Sequence, residues 1–232
     1  VGLLGSEADG GFAQFVVVSA ARAHDMTGSP LSDAQLAALP VAYGTAMGML
    51  ERAGISSGET IVVTGASGGV GLALVQLAAA RGARVLAVTS GDKSGAVLAA
   101  GASHTVDRNA TGLAAHIEQH SQGSLDAVAD VAGGPLIGQL LPLIRDDGRW
   151  VIAGAVAGPV VELDLRRLYL HNIRLIGSSM HTRNHFAALA QAARSATVDP
   201  VVANHYALED IAEAQEEFRR GHHIGKIVLT VN

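Results

Sequence analysis

The stretch Gly65-Ala66-Ser67-Gly68-Gly69-Val70-Gly71 has the residue types of a turn that cradles phosphate. Small side chains let backbone N–H groups approach a pyrophosphate, and a helix that starts there adds unpaired N–H groups and a partial positive charge. Gly71 would let that helix pack closely on the preceding strand. The alternative reading is a tight turn with no ligand. Ser67 sits among glycines, but G-A-S-G-G-V-G fits a cofactor loop better than a G-x-S-x-G nucleophile elbow.

About 20 residues on, the end of the next strand chooses between dinucleotides, because an acidic residue there holds the ribose hydroxyls of NAD. This chain reads Ala87-Val88-Thr89-Ser90-Gly91-Asp92-Lys93. Thr89 and Ser90 are neutral, and an ammonium follows at Lys93, a combination suited to a 2′-phosphate. NADP(H) is therefore the favoured cofactor. Asp92, slightly late for the ribose position, keeps NAD(H) open, and Lys93 could also be a solvated helix-start lysine.

These residues need a scaffold, and the hydrophobic pattern predicts one. Thr60–Thr64 reads as a short apolar strand, and Leu72–Arg81 as a helix stopped by Gly82. Arg84–Thr89 is a strand, Ser94–Ala100 a helix, Thr105-Val106 a strand and Thr111–His120 a helix. Leu125–Val131, Arg149–Ala153 and Ile173–Ile176 are further strands, with a helix near Pro135–Ile144. Apolar strands alternating with helices predict a parallel sheet covered on both faces, a doubly wound α/β (Rossmann) unit of about six strands. Upstream, Phe12–Val18 reads as a strand from its β-branched and aromatic residues. Ser32 and Asp33 can cap a helix running to Leu50, which Pro40 should bend or split. Downstream, Asn184–Ser195 and Leu208–Arg220 read as helices and Ile224–Val231 as a strand.

Composition excludes several classes. Of 232 residues, 49% are hydrophobic and 16% charged, with a net charge of −5, so neither a disordered tail nor a basic nucleic-acid binder is expected. The chain has no cysteine, which excludes disulfides, thiol catalysis and Cys-ligated zinc within it. No apolar run reaches the ~18 residues of a membrane span. Val1–Gly5 lacks the basic flank of a signal peptide, so a cytoplasmic location is expected, and the absence of an initial methionine suggests a fragment or processed product. The adjacent pair His222-His223 reads as solvated loop histidines, with cofactor or substrate contact as the alternative.

Taken in order, these motifs resemble the medium-chain dehydrogenase/reductase superfamily, in particular its quinone-oxidoreductase and enoyl-reductase-like branch. Asp9-Gly10-Gly11-Phe12-Ala13-Gln14-Phe15 resembles the family's D-G-[GT]-[FY]-A-E-[YF] strand, and Leu39-Pro40-Val41-Ala42-Tyr43-Gly44-Thr45-Ala46 its domain-linking helix. Thr64–Gly71 resembles V-x-G-A-x-G-G-V-G, Asp126–Gly134 resembles D-V-V-x-D-x-V-G-G, and Gly225-Lys226-Ile227-Val228-Leu229 resembles the terminal G-K-I-V-L strand. The resemblance implies a split GroES-like catalytic domain around the dinucleotide domain, with part of it preceding Val1. The expected division is residues 1–42 (partial catalytic domain), 43–178 (Rossmann domain) and 179–232 (return segment of the catalytic domain).

The resemblance also assigns roles. Thr45 would lie beside the nicotinamide, with Val70 on the ring's other side. Ala66, Ser67, Gly68, Gly69, Val70 and Gly71 would form the pyrophosphate loop, with Lys226 reaching it. Ser90, Lys93 and Arg108 would surround the 2′-phosphate, with a plain loop charge as the alternative for Arg108. Gly133, Ala153 and Gly154 would end strands over the cofactor, and Ser178 and Ser179 would meet the carboxamide. In zinc-dependent relatives a cysteine ligand occupies the position of Val41, so no zinc is expected in this chain. Tyr43 is the nearest candidate proton donor, with core packing as its alternative.

The implied reaction is hydride transfer to an activated double bond, quinone or carbonyl of a small molecule. Two alternatives stay open: a zinc-dependent alcohol dehydrogenase whose ligands lie upstream, and a non-catalytic dinucleotide-binding module. A homodimer joined through the last Rossmann strand, Ile173–Ile176, is expected; nucleic-acid or membrane partners are not.

Overall fold

The computed structural model describes residues 4–231; Val1–Leu3, within the N-terminal stretch read for a signal peptide, lie outside the described residues. The chain enters through α1 (Asp33–Ala38), whose N-terminus is closed by a capping box. Ser32 Oγ accepts from the Gln35 backbone N–H, and the Gln35 side chain accepts from the Ser32 N–H. Pro40 then splits the predicted helix. It lacks the N–H that an α-helix requires, and Leu39–Tyr43 form a π-helical turn before α2 (Gly44–Ala53) resumes.

The strands and helices that follow are β1 (Thr60–Val63), α3 (Gly69–Ala80), β2 (Arg84–Thr89), α4 (Ser94–Ala99), β3 (His104–Asp107), α5 (Leu113–His120), β4 (Leu125–Asp130), α6 (Leu136–Leu140), β5 (Ile144–Ile152), α7 (Leu165–Leu170) and β6 (Arg174–Gly177). All six strands pair in parallel, in the order β3-β2-β1-β4-β5-β6. The apolar strand pattern has a direct cause. Ile61, Val63, Val85 and Ala87 pack under α2 and α3, while the alternate residues Val62, Leu86 and Val88 pack with Leu113, Ile117 and Leu140 on the opposite face. With both faces covered, no strand position needs to be polar. The chain reverses direction across the sheet between β1 and β4. Their C-terminal ends open the crevice where doubly wound folds bind ligands.

The return segment contains α8 (Arg183–Arg194), β7 (Val202–Ala207), α9 (Ile211–Arg220) and β8 (Lys226–Thr230). β7 and β8 form a separate two-stranded parallel sheet. β7 and α7 were not expected from the sequence.

One predicted element is corrected. Phe12–Val18 is not a strand: Phe15 is 90% exposed and Val17 96% exposed. Strand propensity is realised only against a partner strand, and these residues pair with none among the described residues.

Candidate cofactor site

The glycine loop joins β1 to α3 at the centre of the sheet. Gly65 takes a left-handed conformation (φ +59°), which glycine adopts without a steric penalty. Its carbonyl accepts from Gly68 N–H, and Ala66 N–H donates to Val88 O, so the loop is tied to β2. Gly68 precedes α3 and has no side chain to cap it, which leaves the N–H groups of Gly69, Val70 and Gly71 without helical acceptors. A Cβ on Gly71 would collide with the Gly65 carbonyl, so this glycine sets how closely α3 packs on the loop. Together these features make a concave anion cradle at a helix N-terminus.

The return segment braces the loop. Gly225 N–H donates to Ser67 O at 3.1 Å, and Gly68 bridges to Gly225. The Lys226 stem crosses Gly69 so closely that a Cβ there would stand 2.6 Å from Lys226 Cδ. Burial holds the Lys226 amine below the usual lysine range. An ammonium partly stripped of water beside open backbone N–H groups favours an anion.

At the end of β2, Thr89 is 2% exposed and its Oγ1 has no hydrogen-bond partner among the described residues. Ser90 is half-buried beside it. The Lys93 ammonium donates to the carbonyls of Gly221 (2.8 Å) and His223 (3.1 Å), which places this lysine against the return segment. Arg108 is exposed, and its backbone N–H donates to Thr89 O. Asp92 is fully exposed; the Ser90 side chain hydrogen-bonds to it and lowers its carboxyl pKa.

The residues expected at the nicotinamide lie on α2 and at the ends of β4, β5 and β6. Thr45 is half-buried on α2, and Val41, one turn earlier, is 67% exposed. Tyr43 lies on another face of the helix. It is 2% exposed, its hydroxyl donates to Gln76 Oε1, and burial raises its pKa. Tyr43 packs in the core, and its hydroxyl proton is engaged by Gln76 on α3. Gly133 N–H is held by Asp130, Ala153 N–H donates to Asp130 O, and Gly154 abuts the Val131 carbonyl. Ser178 Oγ and Ser179 O both accept from the Arg52 guanidinium, at 2.9 and 3.3 Å. Arg52 thus fixes the two serines, a role the sequence reading missed.

A second missed feature underlies the crevice. Asp130 is 2% exposed, and its carboxylate accepts from Thr64 Oγ1, the N–H groups of Ala132 and Gly133, and Trp150 Nε1. Thr64 Oγ1 in turn accepts from the N–H groups of Val131 and Ala132. Polar residues at the C-terminal ends of two central strands were the available signal.

The donor set fits a dinucleotide: an open cradle for pyrophosphate and an unpaired buried hydroxyl at the ribose end. It does not supply a metal centre. Val41 has no donor atom, and among the described residues no group of three or more His, Cys, Asp or Glu side chains could hold a metal ion. Among the described residues, no helix is long and apolar enough to cross a membrane.

Comparison with known proteins places the chain among dehydrogenases and reductases. Residues 69–195 match the family model described as zinc-binding dehydrogenase. The chain is 33% identical over 201 residues to the acryloyl-coenzyme A reductase of Metallosphaera sedula, covering 86% of this chain and 59% of that protein. It is 32% identical to the mouse (Mus musculus) quinone oxidoreductase, covering 97% of this chain and 70% of that protein. A 2-octenoyl-CoA carboxylase reductase, solved with NADP and 2-octenoyl-CoA, superposes with a TM-score of 0.89 at 25% identity, covering 97% of this chain and 56% of that one. The chain therefore spans 59% of the acryloyl-coenzyme A reductase and 56% of the 2-octenoyl-CoA carboxylase reductase, against 70% of the quinone oxidoreductase.

Proposed function

The chain belongs to the zinc-binding dehydrogenase family of the medium-chain dehydrogenase/reductase superfamily, and from that premise we propose that it forms the cofactor-binding part of an NADP(H)-dependent reductase that works without zinc in this chain. The substrate class is an activated double bond, a quinone or a carbonyl. Enoyl thioesters come first, because the similar proteins include reductases of acryloyl-CoA and octenoyl-CoA.

The observation that carries the cofactor choice is the end of β2. Thr89 and Ser90 have no charge to repel a phosphate, and Lys93 follows them in sequence, its ammonium held by the carbonyls of Gly221 and His223. An ammonium has three donors, so one remains for a 2′-phosphate. The N-terminus of α3 and Lys226 would hold the pyrophosphate. Thr45 and Val70 would sandwich the nicotinamide, and Ser178 with Ser179 would meet its carboxamide. The bound nicotinamide supplies the hydride, and the chain supplies position and charge. Residues 1–42 and 179–232 belong, in this reading, to the surrounding catalytic domain. The family description favours a second reading, a zinc-dependent alcohol dehydrogenase with its ligands outside this chain.

Parallel calorimetric titrations with NADPH and NADH test the proposal, repeated on Lys93→Ala. The expected result is NADPH preference in the parent chain and a loss of at least about tenfold in NADPH affinity in the variant, with NADH unaffected. NADH preference in the parent would reassign the site to Asp92. Metal analysis and turnover of an enoyl thioester by the full-length protein then separate the zinc-free from the zinc-dependent reading.

A further inference from the structure

The turn that connects α9 to β8 contributes more to this site than its sequence suggests. Lys93 and Lys226 are the chain's two lysines, and the turn runs between them. Lys93 grips the turn through the carbonyls of Gly221 and His223. Three residues on, Lys226 lies over Gly69 of the phosphate loop. His223 therefore lies between the lysine at the 2′-phosphate end and the lysine at the pyrophosphate. Its Nδ1 is buried and has no hydrogen-bond partner among the described residues, and its ring packs against Phe218 at 5.4 Å. With its neighbour His222 and with Glu217, His223 also lines a recess of about 510 Å³, bounded by Ala96 of α4, Val201, Asn204 and Ile224.

We propose that His223 completes the cofactor-phosphate site and makes the preference for a 2′-phosphorylated dinucleotide rise as the pH falls. This depends on the NADP(H) reading above and adds a residue and a regulation to it.

The groups facing the imidazole are Lys93 at the start of α4, Lys226 on β8 and Glu217 on α9. Burial, Lys93 and Lys226 hold the imidazole below the usual histidine range, against an opposing pull from Glu217. The Glu217 carboxylate is already engaged by the Tyr206 hydroxyl and the Asn204 amide. A dianionic 2′-phosphate beside Lys93 cancels the repulsion from the lysines and favours the imidazolium. Its pKa rises on binding, so binding takes up a proton. Affinity for NADPH then climbs as the pH falls through the raised value and levels off below the original one. NADH has no 2′-phosphate and produces a smaller change.

The test compares NADPH and NADH by calorimetry near pH ~6 and ~8, in buffers of different ionisation enthalpy, so that proton uptake is read directly. The phosphate's own second ionisation falls near pH ~6, so His223→Gln is the reference that removes the imidazole and keeps the phosphate. His223→Asn is the second replacement, and thermal melts confirm that each variant folds. The ratio of NADPH to NADH affinity should grow on acidification by about fivefold more in the parent than in either variant. Proton uptake on NADPH binding should fall in both, and His222→Gln should behave like the parent. NADPH preference with identical proton uptake in parent and His223 variants overturns the inference and leaves the cofactor reading standing. NADH preference, or no binding of either dinucleotide, overturns both.

Discussion

Thr64 Oγ1 donates to Asp130 Oδ1 at 2.5 Å, joining the ends of the two strands between which the sheet changes direction. The pair lies beneath the crevice, and every hydrogen bond it makes holds backbone or Trp150 in place. Asp130→Ala strips acceptors from the Trp150 indole, the Thr64 hydroxyl and the Gly133 N–H. Each buried donor left unpaired costs about 1–3 kcal/mol, so a loss of about 3 kcal/mol or more is expected. Thr64→Val should cost about 2 kcal/mol. Urea unfolding midpoints measure both, and an unchanged midpoint in Asp130→Ala would remove the network from this account.

Gly69 and Gly71 differ in what an added methyl group meets. At Gly71 it meets the Gly65 backbone, which cannot yield without moving the loop; at Gly69 it meets the Lys226 side chain, 2.6 Å away at Cδ, which can swing aside. Gly71→Ala should therefore lower stability by at least about 2 kcal/mol and abolish dinucleotide binding. Gly69→Ala should change stability by less than about 1 kcal/mol while weakening binding through displacement of Lys226. Melting curves paired with dinucleotide titrations separate the two; equal destabilisation would contradict the distinction.

Acid should attack a defined ion pair behind the sheet. Glu59 takes two hydrogen bonds from Arg149, whose guanidinium also donates to the carbonyls of Ala53 and Gly54. Burial pushes the Glu59 carboxyl up, but the hydrogen bonds from Arg149 and Ser56, with the Arg149 charge, outweigh it and hold the pKa below the usual glutamate value. A carboxyl depressed in the folded state contributes stability above its unfolded pKa, and that contribution is lost as the pH falls through the folded value. Stability should therefore drop below pH ~4, and Glu59→Gln should flatten that limb. The same variant leaves the buried Arg149 charge without its partner and should cost about 3 kcal/mol at neutral pH. Denaturation at a series of pH values reads both effects.

The edge of the sheet predicts assembly. Among the described residues β6 pairs only with β5, and Leu175 on it is 40% exposed. Two copies joined along β6 would cover both edges. Light scattering should find a dimer at micromolar concentration, and Leu175→Asp should shift it towards monomer. A monomer throughout that range would sink the proposal.

How far the sequence could be read depended on the range of the interactions involved. β2 has its predicted bounds, Arg84–Thr89, because a strand buried on both faces is a plain apolar run. The glycine loop was legible because its residues are consecutive. β7 was not: Asn204 and His205 break the apolar pattern, and exposed positions on a two-stranded sheet tolerate them. The Thr64–Asp130 bond spans 66 residues, and Arg52 reaches Ser178 across 126. No local spacing encodes such contacts. Phe12–Val18 failed in the opposite sense, with strong local propensity and no strand to meet it.

The two lysines have a practical consequence for anyone labelling this chain. Lys93 and Lys226 carry its only side-chain amines. Amine-directed dyes, cross-linkers and immobilising resins will therefore modify either the stem that crosses Gly69 or the lysine that grips the carbonyls of Gly221 and His223, wherever they react with a side chain. Attachment through such groups disturbs one of these contacts with the return segment; it does not decorate a neutral surface.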